Sequence, residues 1–339
     1  MVAGVQKRIR DLQETTPLAD AARRLLAVRL EAVRDCLDRA FNDGSDRRKA
    51  IHALRVATRR AAAAIDVFGQ CLPRRVAKEI RQVVRDLRRA VGTARDWDVV
   101  LQELSRQVEQ GDTASRPAHD MLTGYAIAHR IPAQHRLLAA CPDHPFGFDR
   151  LMAQTVASVR QRGSQPVALG SHVRPLLARL VEGLDAACGS GDGDWTQLHE
   201  ARLAGKRLRY TLEIVEDCLA ISPDKAIATA LSRLQEILGG VNDAFNAGNL
   251  LRQILDGTDS CVPHVMDRYR EVIERQIAAH DETMRRGRET FRGWLEEWHS
   301  PAMLDVLRTI CPALRSRPVV CAVGPDGGLD AALPIARPA

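Results

Sequence analysis

Shifted by 147 residues, the chain overlays itself without a gap, and this internal repeat restricts the available folds more than any other feature. His52-Ala-Leu-Arg55 falls on His199-Glu-Ala-Arg202, Arg59-Arg60 on Lys206-Arg207, Cys71-Leu72 on Cys218-Leu219, Gly92 on Gly239 and Asp96 on Asp243. The repeated unit has helical period. Ile51, Leu54, Ala61, Ile65, Phe68 and Leu72 recur in steps of three and four, with Thr58 in the one gap and Pro73 stopping the run. The second copy repeats the ladder as Leu198, Ala201, Gly205, Leu208, Leu212, Val215 and Leu219. Two copies of one unit therefore present the same apolar face to a core.

Around that helix the unit extends in both directions. Residues 18–41 form an amphipathic stretch closed by the turn signal Asn42-Asp-Gly-Ser45. A third stretch carries Val76, Ile80, Val83, Leu87 and Ala90-Val91, and Gly92 is expected to end it. Residues 172–188 take the place of 25–41, while stretches near 118–140 and 263–297 match more loosely and carry Tyr125 and Tyr269. Strand-like alternation is scarce before residue 300. The pattern predicts an all-α fold over 18–298, built as two repeated antiparallel four-helix bundles related by a pseudo-two-fold axis. The first repeat covers about 18–140 and the second about 172–298. Residues 141–171, rich in Pro and Gly around a short helical piece, read as the connector. The Pro/Gly-rich residues 299–339 are expected to be a loosely held or disordered tail.

At 339 residues and 45% hydrophobic content the chain can bury a sizeable core. No run reaches the length of a membrane span, and Met1-Val-Ala-Gly-Val-Gln-Lys-Arg-Ile-Arg10 lacks the apolar stretch of a secretory signal, so a cytoplasmic protein is expected. Eight cysteines without a C-x-x-C pair or zinc spacing read as small reduced core residues, and neither a metal nor another cofactor is expected. Thirteen aromatics are few for a platform that stacks single-stranded bases.

Charge is where the copies differ. The chain carries 49 Lys+Arg against 43 Asp+Glu, and all but five of the cations are Arg. Arginine forks suit phosphate and carboxylate, although a GC-rich genome also yields Arg without a function attached. Position decides between the two. His52, Arg55 and Arg59 line one helix face at the edge of the core, and Lys78, Arg81, Arg85 and Arg88 make a second row, joined by Arg74, Arg75, Arg89 and Arg95. Residues 52–95 hold 11 Lys+Arg and 3 Asp+Glu, whereas residues 199–242 hold 6 of each. Rows of cations without acidic residues at i+4 repel one another, and a polyanion would relieve that repulsion.

These residues carry a family resemblance. His52-Ala-Leu-Arg-Val-Ala-Thr-Arg-Arg60 with Ala94-Arg-Asp-Trp-Asp-Val99, and Leu198-His-Glu-Ala-Arg202 and Lys206-Arg-Leu-Arg-Tyr210 with Leu238-Gly-Gly-Val-Asn-Asp243, resemble the paired motifs of the CHAD domain, the conserved histidine α-helical domain. The resemblance spans roughly residues 18–298. It implies two four-helix bundles around a basic groove or pore, and non-catalytic binding of inorganic polyphosphate, in some members at polyphosphate granules. No triphosphate-tunnel domain of the kind some members carry is expected ahead of the first helix. By position, the implied ligand contacts are His52, Arg55, Arg59, Arg60, Lys78, Arg81, Arg85, Arg88 and Arg95 in the first copy, and His199, Arg202, Lys206 and Arg209 in the second. Ala228, Ser232 and Gln235 stand where the first copy has Arg81, Arg85 and Arg88, so the first copy is expected to dominate, with Arg81 and Arg85 outweighing Arg202 and Lys206. Each histidine could instead satisfy a backbone or an acid. Asp96 and Asp243, placed after glycines, read as helix N-caps or as carboxylates that orient Arg.

Two other functions compete. An enzyme would use His52, His199, Asp96 and Asp243 as metal ligands, or His119-Asp120 and His280-Asp281 as parts of a metal phosphohydrolase site. Bare cationic rows oppose a divalent metal, and no Gly-rich phosphate loop, nucleophile elbow or His-Glu-x-x-His helix is present. Nucleic acid is the second rival, since a phosphate groove is blind to what the phosphates carry. Few aromatics and no recognition motif argue against base readout.

Overall fold

The structure is a computed structural model that describes residues 12–314 apart from 43–46, 111–112, 141–145, 162, 190, 192, 216–224, 260–262 and 313. The turn after Asn42, the Cys218-Leu219 match, Cys141, Cys261 and Cys321, and the chain beyond 314 lie outside the described residues.

The predicted period is realised as helix after helix. The first copy contributes α1 (Leu18–Asn42), α2 (Arg47–Phe68), α3 (Arg74–Gln110) and α4 (Arg116–Ala139). A connector helix α5 (Phe146–Ala157) leads to α6 (Leu169–Cys188), α7 (Trp195–Val215), α8 (Lys225–Asp259), the short α9 (Pro263–Asp267) and α10 (Arg270–Trp298), and α11 (Pro301–Ile310) follows. Shifted by 147 residues, α2 lands on α7 and α3 on α8 within a few residues at each end. No strand occurs among the described residues. Their only β pairing is an isolated bridge between Pro17 and Ala168.

Glycine does not end the third helix. α3 runs through Gly92, and α8 through Gly239-Gly240, so Asp96 and Asp243 lie inside long helices rather than at N-caps. A helical glycine costs about 1 kcal/mol relative to alanine, too little to break a helix whose apolar ladder continues on both sides. The ladders also explain why these helices are long, because each serves two cores. Ile80, Val84, Leu87, Val91 and Ala94 of α3, and Ile227, Leu231, Leu234, Leu238 and Val241 of α8, belong to the larger core. Leu104 and Leu251, Ile254 and Leu255 belong to a smaller one, closed by Leu122 and Ala126 of α4 and by Ile273 of α10. Both copies feed both cores.

The larger core is locked by an aromatic column on α10. Phe291, Trp294 and Trp298 stack in sequence at 5.8 and 5.3 Å between centroids. Trp294 Nε1 donates to Ala230 O at 2.8 Å and Trp298 Nε1 to Asp185 Oδ1 at 2.9 Å, tying α10 to α8 and α6. The expectation of a loose tail from 299 needs correcting for its first part. α11 begins at the N-cap Ser300, whose Oγ accepts from Met303 N, and Leu307, Ile310 and Cys311 are buried in the larger core. Arg174 Nη1 also donates to Ile310 O at 3.2 Å. Cys36, Cys71, Cys188 and Cys311 are buried in the larger core, as their apolar settings predict.

Candidate functional site

A cavity of about 810 Å³ opens where the second helix of each copy meets the midpoints of α3 and α8. Its cationic end is built from equivalent positions of the repeat. Arg55 faces in with Arg202, Arg59 with Lys206, and Asp96 with Asp243. His52 and Arg95 add two basic groups from the first copy alone. The repeat thus brings its two histidine helices, α2 and α7, to one site, and these helices touch directly.

The passage at Gly92 matters here. Arg55 Nη1 donates to Gly92 O at 3.3 Å and to Asp96 Oδ1 at 2.9 Å. Asp96 therefore takes the second role expected of it, orienting an arginine. Across the cavity, Arg202 Nε is buried without a hydrogen-bond partner.

Crowded cations in a half-buried space depress one another's proton affinity. Burial, then Arg202, Arg59 and Arg55, bring the Lys206 amine down to about 7, with Asp243 opposing. Burial also lowers Arg202, aided by Arg59 and Arg55 and opposed by Asp243 and Asp96. The His52 imidazole is lowered by burial and by Arg95, Arg55 and Arg59. An anion entering this space would oppose each of these shifts.

The remaining basic residues lie elsewhere. Lys78, Arg85 and Arg88 form an exposed band on α3 outside the cavity. It approaches the cavity through Arg88, whose guanidinium is partly desolvated and is lowered by that and by Arg59, Arg85 and Arg207, with Asp66 opposing. Arg81 Nε pairs with Asp66 Oδ1 at 3.2 Å. Arg60 Nε reaches from α2 to Glu213 Oε2 on α7 at 2.9 Å, and Arg209 holds Glu213 Oε1 at 3.1 Å and Gln235 Oε1 at 2.7 Å. Arg60 and Arg81, with no acidic residue at i+4, thus find one on another helix, whereas Arg209 has Glu213 at i+4. Arg60 and Arg209 brace the joint between the copies.

The two histidines also part company. His52 lines the cavity, while His199 lies 5.5 Å from the Trp195 ring, which stacks on Phe245 at 3.8 Å. His199 Nδ1 is buried without a partner. His119 is in the core with Nε2 at 2.8 Å from Gln276 Nε2, and Asp281 accepts two 2.7 Å bonds from Arg252. Among the described residues no three His, Cys, Asp or Glu side chains gather as a metal site, and no helix is long and apolar enough to cross a membrane.

Sequence reasoning missed the far end of the cavity. Trp97, Leu104 and Gln107 of α3 face Ala244, Leu251 and Ile254 of α8 there, with Tyr125 of α4 and Gln276 and His280 of α10 closing it. The signal was present, since these α3 and α8 positions are again 147 apart and continue the spacing of Asp96 and Asp243 along their helices.

A family model described as the CHAD domain matches residues 24–252. No curated protein matches the chain. Among solved structures it is similar to the crystal structure of the CHAD domain from the plant Ricinus communis, with a TM-score of 0.60 and 24% identity over 91% of this chain and 96% of that one. It is also similar to PptA from Streptomyces chartreusis, with a TM-score of 0.64 and 16% identity over 83% of this chain and 100% of that one. At these identities the structural likeness concerns the fold.

Proposed function

This chain belongs to the CHAD domain family, and from that premise we propose that it binds inorganic polyphosphate, without transforming it, in the cationic cavity between its two copies. One observation carries the reading: Arg55, Arg59, Arg202 and Lys206 converge on a single space in which Arg202 Nε has no hydrogen-bond partner and Lys206 gives up its proton at about 7. A string of phosphates supplies the missing acceptors and charge. Arg forks take adjacent phosphate oxygens in pairs, and His52 donates and gains charge beside them. The band of Lys78, Arg85 and Arg88 extends the path for chains longer than the cavity. A cytoplasmic protein holding polyphosphate in this way would gather on polyphosphate granules.

The test is competition between long-chain polyphosphate and DNA or RNA at matched phosphate concentration and physiological salt, with released phosphate measured in parallel. Preference for polyphosphate without phosphate release is expected. Preference for nucleic acid would overturn the ligand, and turnover would overturn the binding-only role.

A further inference from the structure

Inorganic polyphosphate has no use for most of the cavity's wall. Beyond Asp96 and Asp243 the lining turns apolar, and it turns unequal. Where α3 presents Trp97, Glu103 and Gln107, the equivalent positions of α8 are Ala244, Leu250 and Ile254. Trp97 and Tyr125 are in mutual ring contact at 6.2 Å. His129, which is not part of the lining, contacts both rings at 5.1 and 4.3 Å and so backs them from outside. Gln107 Nε2 donates to Glu103 Oε1 at 3.0 Å, leaving Gln107 Oε1 buried without a partner. Amides and hydrogen-bonding side chains from the second copy, Asn246, Gln276, His280 and Thr283, share this end.

We infer that the cavity also takes a nucleoside polyphosphate, its phosphates among Arg55, Arg59, Arg202 and Lys206 and its base at the end walled by Trp97, Tyr125 and Gln107. This rests on the polyphosphate reading for the phosphate end only. Three features favour it. The wall begins one residue from the Arg55 partner Asp96, so an anion and a flat ring can be bound by one molecule. At roughly 1.5 Å per residue, Asp96 to Gln107 spans about 16 Å of α3, which leaves length for a sugar and base beyond the phosphates. The wall mixes rings, aliphatic groups and amides, which suits a heteroaromatic base with polar edges better than an acyl chain that would leave the amides unsatisfied. The copies match where the ligand would be repetitive and differ where it would not.

The experiment compares adenosine triphosphate, inorganic tripolyphosphate, octyl phosphate and long-chain polyphosphate as ligands of the full chain by calorimetry at fixed ionic strength. Adenosine triphosphate is expected to bind at least tenfold tighter than tripolyphosphate, since stacking adds to the shared phosphate contacts. Trp97→Leu, which keeps apolar bulk but removes the ring, and Ala247→Leu, which adds bulk at a lining position of α8, should each erase that advantage while leaving tripolyphosphate affinity within twofold. Retained tripolyphosphate binding certifies that each variant is folded. Equal affinities for the two triphosphates, or an advantage that survives both variants, would overturn the inference and leave polyphosphate binding intact. Octyl phosphate binding as tightly as adenosine triphosphate would overturn it in favour of an acyl ligand. Adenosine triphosphate binding without long-chain polyphosphate binding would overturn the proposed function and support the inference.

Discussion

Lys206 is the residue at which the site can be interrogated most directly. Its amine titrates near 7 in the folded chain and near 10.5 otherwise. Between these values the unfolded chain holds a proton that the folded one lacks, so this group makes stability rise with pH across that window, and its full penalty stands below about 7. The slope should be shallower in Lys206→Met, measured by denaturant unfolding between pH 6.5 and 9. Phosphate beside Lys206 restores the proton, so polyphosphate binding at pH 8 should take up close to one proton, read as a dependence of binding heat on buffer ionisation enthalpy and largely lost in Lys206→Met. Arg59 supplies the second test. It sits among Arg88, Arg202 and Lys206, whereas Arg81 is tied to Asp66 and Arg85 stands in the exposed band. Arg59→Gln should weaken polyphosphate binding by about tenfold or more, the loss of a charged hydrogen bond of roughly 1.5–3 kcal/mol. Arg85→Gln should cost at most about threefold. Counting charge along the sequence ranks Arg85 above Arg202 and Lys206, because it cannot register that these two join the first copy's helix in space.

At the scale of elements, the sequence stated what each helix buries and misstated where two of them stop. α1 matches its expected span, 18–41, to within one residue, because a polar turn signal and an apolar ladder end together there. α3 does not, because Gly92 interrupts neither the ladder nor the hydrogen bonding. Its carbonyl accepts from Arg55 Nη1, and a Cβ there would meet that atom only at an ordinary 3.9 Å. A glycine that breaks a helix and one that admits a neighbour look alike in sequence. Two substitutions separate such roles. A Cβ at Gly287 of α10 would collide with Val241 Cγ2 on α8, while one at Gly124 of α4 would meet nothing. Val241 is β-branched and buried, so it cannot yield by changing rotamer alone. Gly287→Ala should lower stability by about 1–3 kcal/mol through overpacking, against a helix-propensity gain of at most about 1 kcal/mol. Gly124→Ala should raise it by up to about 1 kcal/mol. Equal shifts in thermal midpoint for the two variants would show that α10 does not approach α8 this closely.

For the whole molecule, duplication is what made the site legible. Residues 147 apart meet in one cavity as Arg55 with Arg202 and Arg59 with Lys206, so finding the repeat amounted to finding half of the site. The wall stayed hidden because Trp97, Leu104 and Gln107 read as ordinary helix positions until α4 and α10 close over them. The same arrangement couples ligand to fold, since the cavity is framed by both copies and their mutual repulsion is a cost of folding without ligand. A ligand that binds only the folded chain adds about 2.7 kcal/mol at a hundredfold excess over its dissociation constant. For a chain of this size that is a rise of several degrees in thermal midpoint. Salt separates this coupling from general stabilisation. Added chloride screens the cations of the ligand-free protein and should raise its midpoint. It should also shrink the increment from polyphosphate, because binding releases counterions with a log–log slope of about −3 for four or five phosphate contacts, by analogy with single-stranded nucleic acid. Melting curves from 50 to 500 mM salt, with and without polyphosphate, should therefore converge. Parallel curves would mean that phosphate is not held by these cations, and a falling ligand-free curve would mean that their repulsion is not stored in the fold.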